Sequence, residues 1–233
     1  MNAGRTARER VRAEMIREIT DIGRRLLATE GATGLSLRAI AREMGMVSSA
    51  VHRYFPTKDD LLTALIIDAF NAVGDTADAA DAALPRDDLL GRWMAVTLAI
   101  RAWAVAHPHE YALIHGSPVP GYQAPEDTVV AASRDGAVLA AIVRDAAEAG
   151  VLGPMQGFPP PPAAFAADAV NIRAAIFGGV DDDVILRSLI AWTWAYGAIS
   201  FELFGMFNNV ITDCAAAFEH GARSMARYVG LSG

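Results

Sequence analysis

A single cysteine, Cys214, is all the chain carries. No disulfide can form within it, and a reducing compartment, the cytoplasm, is expected. Nothing near the N-terminus reads as a secretory signal, because arginines recur through Arg25 without an apolar stretch after them. Val, Ile and Thr are scattered rather than strung into alternating runs, which argues against a sheet. No internal repeat is apparent. Nucleophile elbows, phosphate-binding glycine loops and metal-binding helix motifs are all missing, so Ser117, Asp135 and the histidines give no enzyme reading. Residues 188–207 have the length of a membrane span. Glu202 interrupts them, however, and Gly197, Ser200 and Gly205 suggest a helix packed inside a core.

What is present favours helices. Hydrophobic residues make up 53% of a 233-residue chain, with alanine prominent, enough for one sizeable core or two small ones. The net charge of −7 is unevenly spread. Residues 1–58 hold eleven Arg/Lys against six Asp/Glu, a balance of +5, which leaves −12 for residues 59–233. A basic head that meets phosphate and an acidic body that does not would produce this division.

The most specific stretch is residues 35–58, LSLRAIAREMGMVSSAVHRYFPTK. Ala41, Gly45 and Val51 form the skeleton of a helix-turn-helix. Its first helix needs a small side chain where the second crosses it, and its turn needs a residue that tolerates positive φ. An aliphatic residue on the second helix must point back at the first, leaving the other face for the major groove. The segment Tyr54-Phe55-Pro56-Thr57-Lys58-Asp59-Asp60-Leu61-Leu62 then ends one helix and starts another.

With that continuation, Ile16 to Leu65 resembles the DNA-binding domain of the TetR family of bacterial transcriptional regulators. Two departures stand out: the turn reads Gly45-Met46-Val47-Ser48-Ser49, and His52 stands where the family often has tyrosine. Further along, Trp103, the histidines at 107, 109 and 115, and Gly116 resemble the Trp-His-Gly pattern of one TetR C-terminal subfamily. The resemblance implies an all-α protein. A three-helix head, residues 1–58, would be joined by a long helix to a ligand-binding and dimerisation domain, residues 59–233. It also implies a homodimer whose final helices form a four-helix interface, on double-stranded operator DNA and under a small-molecule effector, without a cofactor. Ser36 and Lys58 match positions that usually grip the DNA backbone.

Pattern and punctuation place helices at about 6–29, stopped by Gly31, then 37–44 capped by Ser36, 48–54 and 58–80. In the body they fall at about 87–106, 110–115, 127–150, 162–177, 183–207 and 212–229. The stretch Phe158–Pro162 reads as a stiff extended linker. The helix at 183–207 carries two apolar stripes. One runs through Ile185, Leu189, Trp192, Tyr196, Ile199 and Leu203; the other includes Leu186, Ile190, Trp194, Gly197, Phe201 and Phe204. A helix apolar on two sides must bury both, and a second subunit is one way to do so.

Candidate DNA contacts are Ser36, Arg38, Ser48, Ser49, Ala50, His52, Arg53, Tyr54 and Lys58, with Arg42 adding to the basic surface. Ser48, Ser49 and Ala50 begin the recognition helix, where side chains reach base edges. Arg53 suits base or phosphate, whereas His52 and Tyr54 suit phosphate. For a ligand pocket, Trp103, His107, Tyr111, Asn171, Phe177 and Trp194 offer aromatic walls with polar handles. The dimer interface is expected at Ile190, Gly197, Phe201, Phe218, Ala222 and Met225. The histidine spacing fits no metal motif. A helical enzyme and a dimeric small-molecule-binding or scaffold protein with a degenerate head are the alternative readings.

Overall fold

The computed structural model describes residues 3–153 and 158–231, and every regular element among them is helical. In chain order these are α1 (Ala3–Gly34), α2 (Leu37–Glu43), α3 (Ser48–Val51), α4 (Lys58–Ala82), α5 (Leu89–Ala106) and α6 (Pro108–His115). There follow α7 (Thr128–Ala132), α8 (Arg134–Glu148), α9 (Phe165–Ile172) running into a π-helical turn at Arg173–Phe177, α10 (Asp182–Leu203) and α11 (Cys214–Val229). The chain divides into two compact units. The first comprises the residues up to Asn71 together with His107–Ala132; the second comprises Ala72–Ala106 and the chain from Ser133 onward. The boundary expected at 58/59 falls within the first unit.

In the first unit, Ile19 and Ile22 of α1, Leu37, Ile40 and Ala41 of α2, Val51 of α3 and Leu61, Leu62 and Leu65 of α4 share one core. Leu113, Val119 and Tyr122 pack against it from the later segment. Tyr122 and Thr63 join their hydroxyls at 2.9 Å, and Arg24 of α1 reaches Asp68 of α4 and Glu110 of α6. Gly31 interrupts α1 at φ 68°, the stop expected there. Ser36 caps α2, its Oγ accepting from the Ala39 amide at 3.1 Å.

The turn between α2 and α3 shows why glycine stands at position 45. Its φ is 66°, the Gly45 amide donates to Arg42 and the Met46 amide donates to Ala41. This pair of bonds is the Schellman pattern that ends a helix on a left-handed residue. A Cβ at Gly45 would meet nothing within 4 Å, so only backbone strain opposes a side chain there. Gly45→Ala is therefore expected to lower the stability of this unit by about 1 kcal/mol, read from urea denaturation. A loss above about 3 kcal/mol would show that steric contact, not φ, decides the position.

The second unit is built on α5, α8, α10 and α11. Trp93, Val96, Thr97, Ile100, Trp103 and Ala104 of α5 are buried, and the Trp93 indole donates across to the Ala222 carbonyl of α11 at 3.1 Å. By length and composition alone α5 and α10 could each cross a membrane. Within this unit they are joined by a two-pronged ion pair, Arg101 to Glu202, at 2.8 and 2.5 Å. That pair accounts for an acid inside an otherwise apolar helix.

Four sequence expectations are corrected. The helix expected at 127–150 is two helices, because Ser133 (φ −94°, ψ −7°) breaks the hydrogen-bond ladder. The one expected to reach 207 stops at Leu203, since Gly205 takes a φ of 81° and turns the chain instead of packing a helix. Residues 162–177 end in a π-helical turn rather than continuous α-helix. The regular part of α3 is only Ser48–Val51, His52 to Tyr54 continuing as a hydrogen-bonded turn.

Candidate nucleic-acid interface

Val51 is fully buried and points back into the core, so the opposite side of α3 is the one turned outward. There Ser49, His52 and Arg53 are exposed, while Ser48, Ala50 and Tyr54 are half-buried. Arg38 and Arg42 lie exposed on α2, and Ser36 and Lys58 are half-buried. The expected contact residues of the head thus gather on the outer side of α2, α3 and the turn into α4.

Local bonding narrows what several of them can do. His52 Nδ1–H donates to the Pro56 carbonyl at 2.9 Å, an acceptor only, so the ring keeps Nε2 for an outside partner. A neutral His52 would accept through Nε2; gripping phosphate requires the protonated ring. Thr57 and Asp60 form a reciprocal cap at the start of α4: the Thr57 amide donates to Asp60 at 2.8 Å, and the Asp60 amide donates to Thr57 Oγ1 at 3.1 Å. Two amides at this end of α4 are thereby engaged, and Asp59 and Asp60 add negative charge beside Lys58. Ser36 Oγ is likewise taken as an acceptor, leaving its hydrogen to donate outward.

Sequence reading missed one feature of this face. The Arg12 guanidinium lies over the Tyr54 ring, 5.4 Å from its centroid, bringing the start of α1 beside the recognition turn. The spacing of Arg8 and Arg12, one helical turn apart, was the available signal.

The residues expected to bind a ligand do not come together in one unit. His107 and Tyr111 belong to the first unit and Trp103, Asn171, Phe177 and Trp194 to the second. Trp103, Tyr111 and Phe177 are buried, whereas His107 and Asn171 are exposed. The exposure of His107 follows from its place: Pro108 starts α6, so His107 occupies the cap position outside it. Trp194 is the member that lines a described cleft, of about 270 Å³, with Phe207, Ile211, Cys214 and Phe218. Its indole lies on Gly221, where an added Cβ would come within 2.0 Å.

The residues expected at a dimer interface also divide. Ile190, Gly197 and Phe201 are exposed on α10 and Met225 is half-buried. Phe218 and Ala222 are buried inside their own unit, so their side chains cannot form an exposed contact surface. On the first apolar stripe of α10 Ile185 and Ile199 are buried while Trp192 is exposed; on the second Ile190, Phe201 and Phe204 are exposed.

Comparison with known proteins decides the family. Residues 19–65 match the family described as bacterial regulatory proteins, tetR family, and residues 93–225 match the tetracyclin repressor-like C-terminal domain. The HTH-type transcriptional regulator Rv1816 of Mycobacterium tuberculosis is 40% identical over 227 residues, covering 94% of this chain and 92% of its own. The chain belongs to the TetR family. The regulator Mb1846 of Mycobacterium bovis matches to the same extent. The crystal structure of a regulatory protein designated SCO4313 is 35% identical, covers 93% of this chain and 97% of its own, and superposes with a TM-score of 0.73. This TetR-family chain is accordingly a DNA-binding transcriptional regulator, and the face formed by α2, α3 and the turn into α4 is its helix-turn-helix.

Proposed function

We propose that this regulator is a repressor that binds a two-fold operator as a homodimer in the cytoplasm and is released by a small-molecule effector. The observation that carries the reading is the outward apolar stripe of α10, with Ile190 44% and Phe201 49% exposed in the single chain. Apolar side chains at that spacing on one helix face call for a partner surface, and a two-fold copy presents the same face in return. A dimer places two heads on DNA, so the operator has two related half-sites read by α3 of each subunit. Ser48, Ser49, Ala50 and Arg53 read bases or adjacent phosphate, and Ser36, Arg38, His52, Tyr54 and Lys58 hold the backbone. In this reading residues 1–58 carry the DNA contacts and residues 59–233 carry effector binding and dimerisation.

Release follows from differential affinity: an effector that prefers a conformation with the wrong head separation draws the population off the operator. The helix α4 is the covalent path, because Lys58–Asn71 lie in the first unit and Ala72–Ala82 in the second. The test is sedimentation of the full chain together with fluorescence anisotropy on duplex from upstream of its own gene, against unrelated duplex. A dimer that prefers the upstream duplex is expected. A monomer, or equal affinity for both duplexes, would overturn the dimeric-operator reading.

A further inference from the structure

The arginines at the start of α1 sit beside the recognition turn and have no part in the helix-turn-helix itself. An open groove of about 470 Å³ is lined by Ala7, Arg8, Val11, Arg12, Arg53 and Tyr54. No carboxylate lines it. Residues 7, 8, 11 and 12 share one face of α1, whereas Glu14, Glu18 and Asp21 line a different groove with Arg17 and Arg25. None of the ion pairs among the described residues engages Arg8, Arg12 or Arg53. Two other arginines of the head, by contrast, face carboxylates: Arg24 holds Asp21, Asp68 and Glu110, and Arg25 holds Glu43. Three exposed cations around one groove without a carboxylate repel each other, and an anion relieves that repulsion.

We propose that Arg8, Arg12 and Arg53 form a slot for the DNA backbone, extending the contact from the recognition helix onto the flanking phosphates. The proposal rests on the DNA-binding reading of the head and adds a second grip to it. Arg12 is already ordered: its guanidinium lies over the Tyr54 ring, which fixes the plane while leaving its N–H edge to donate. Arg53 follows the recognition helix directly, so one face is continuous from Ser49 through Arg53 to Arg12 and Arg8. Val11 and Ala7 give the groove an apolar floor suited to deoxyribose rather than to a second charge. The family match begins at residue 19, so these arginines of α1 lie ahead of the shared helix-turn-helix region. Phosphate contacts carry no sequence information, so the slot adds affinity and salt dependence without changing which duplex is preferred.

The experiment compares the full-length protein with R8A/R12A and R8K/R12K by anisotropy, on the upstream duplex and on unrelated duplex, across a series of salt concentrations. Every phosphate that the protein ceases to neutralise reduces the log–log salt slope by about 0.9. R8A/R12A is expected to flatten the slope by about 2 per head and to weaken both duplexes by a similar factor of about ten or more at low salt. R8K/R12K, which keeps the charge, is expected to recover most of the slope. Both residues are exposed on a helix surface, and an unchanged thermal transition will show that the head still folds. An unchanged slope in R8A/R12A overturns the slot while leaving the helix-turn-helix reading intact. So does a loss confined to the upstream duplex, which would mean base reading. A wild-type protein that holds no duplex even at low salt removes the DNA reading and the slot together.

Discussion

Replacing Arg92 by alanine is expected to lower the stability of the second unit by about 3–5 kcal/mol, the range for breaking a buried ion pair by deleting one partner. The Arg92 side chain is completely buried. Its Nε donates to Asp81 at 2.7 Å, and its Nη1 donates to Asp145 at 2.8 Å and to the Arg86 carbonyl at 2.9 Å. Arg86, itself largely exposed, reaches the same two carboxylates at 2.5 and 2.7 Å. Without Arg92, Asp81 and Asp145 would share one mobile surface arginine beside a cavity. A lysine could keep the charge but not span two carboxylates, so R92K is expected to recover only part of the loss.

The same network fixes the pH response. Burial alone would push the Asp81 carboxyl up, but hydrogen bonds and charge from Arg92 and then Arg86 outweigh it and hold it below the usual range. A carboxyl with a depressed folded value stabilises above its unfolded value of about 3.9 and loses that contribution as pH falls through the folded one. The penalty in R92A should therefore be full at pH 7 and shrink below about pH 4. Urea midpoints at neutral pH and at about pH 3.5 will read both effects. A loss under about 1 kcal/mol at neutral pH would mean that the network is no stronger than an exposed pair.

Phe201→Glu is expected to weaken the proposed dimer by about 100-fold or more, since a carboxylate placed in an apolar contact must be desolvated without a partner. Phe201 is 49% exposed, touching Phe207 at a centroid distance of 5.6 Å, so the change opens no core cavity. Val130→Glu on α7 is a suitable control, because Val130 is 75% exposed and belongs to the other unit. Sedimentation equilibrium at micromolar concentration should show a mass shift for F201E and none for V130E. If F201E sediments like the wild type, the α10 stripe is not the subunit contact.

The helix-turn-helix was legible because its determinants are local. Gly45, Ala41 and the Ser36 cap act through hydrogen bonds within a few residues, and those bonds are the ones found. Gly205 was misread because the same residue can permit close packing or end a helix, and only its φ of 81° separates the two. The α10 face could be read because that helix carries two apolar stripes, and the spare one is visible. In α11 there is a single stripe; Phe218, Ala222 and Ala226 spend it on their own core, so its pattern said nothing about a second surface. The expected ligand residues were ambiguous for another reason. Aromatic type does not distinguish a wall from a core, and Trp103 and Phe177 are buried while Asn171 is exposed.

The first compact unit is written in two pieces, with residues 72–106 of the other unit between them. During synthesis the chain up to Asn71 therefore emerges before Tyr122, Leu113 and Glu110, on which Thr63, the shared core and Arg24 depend. A ribosome working at about 5–20 residues per second imposes a delay of seconds before those partners arrive. The reading head is thus not a portable cassette. Cutting the gene after the recognition helix would leave a nascent domain that waits for partners never made.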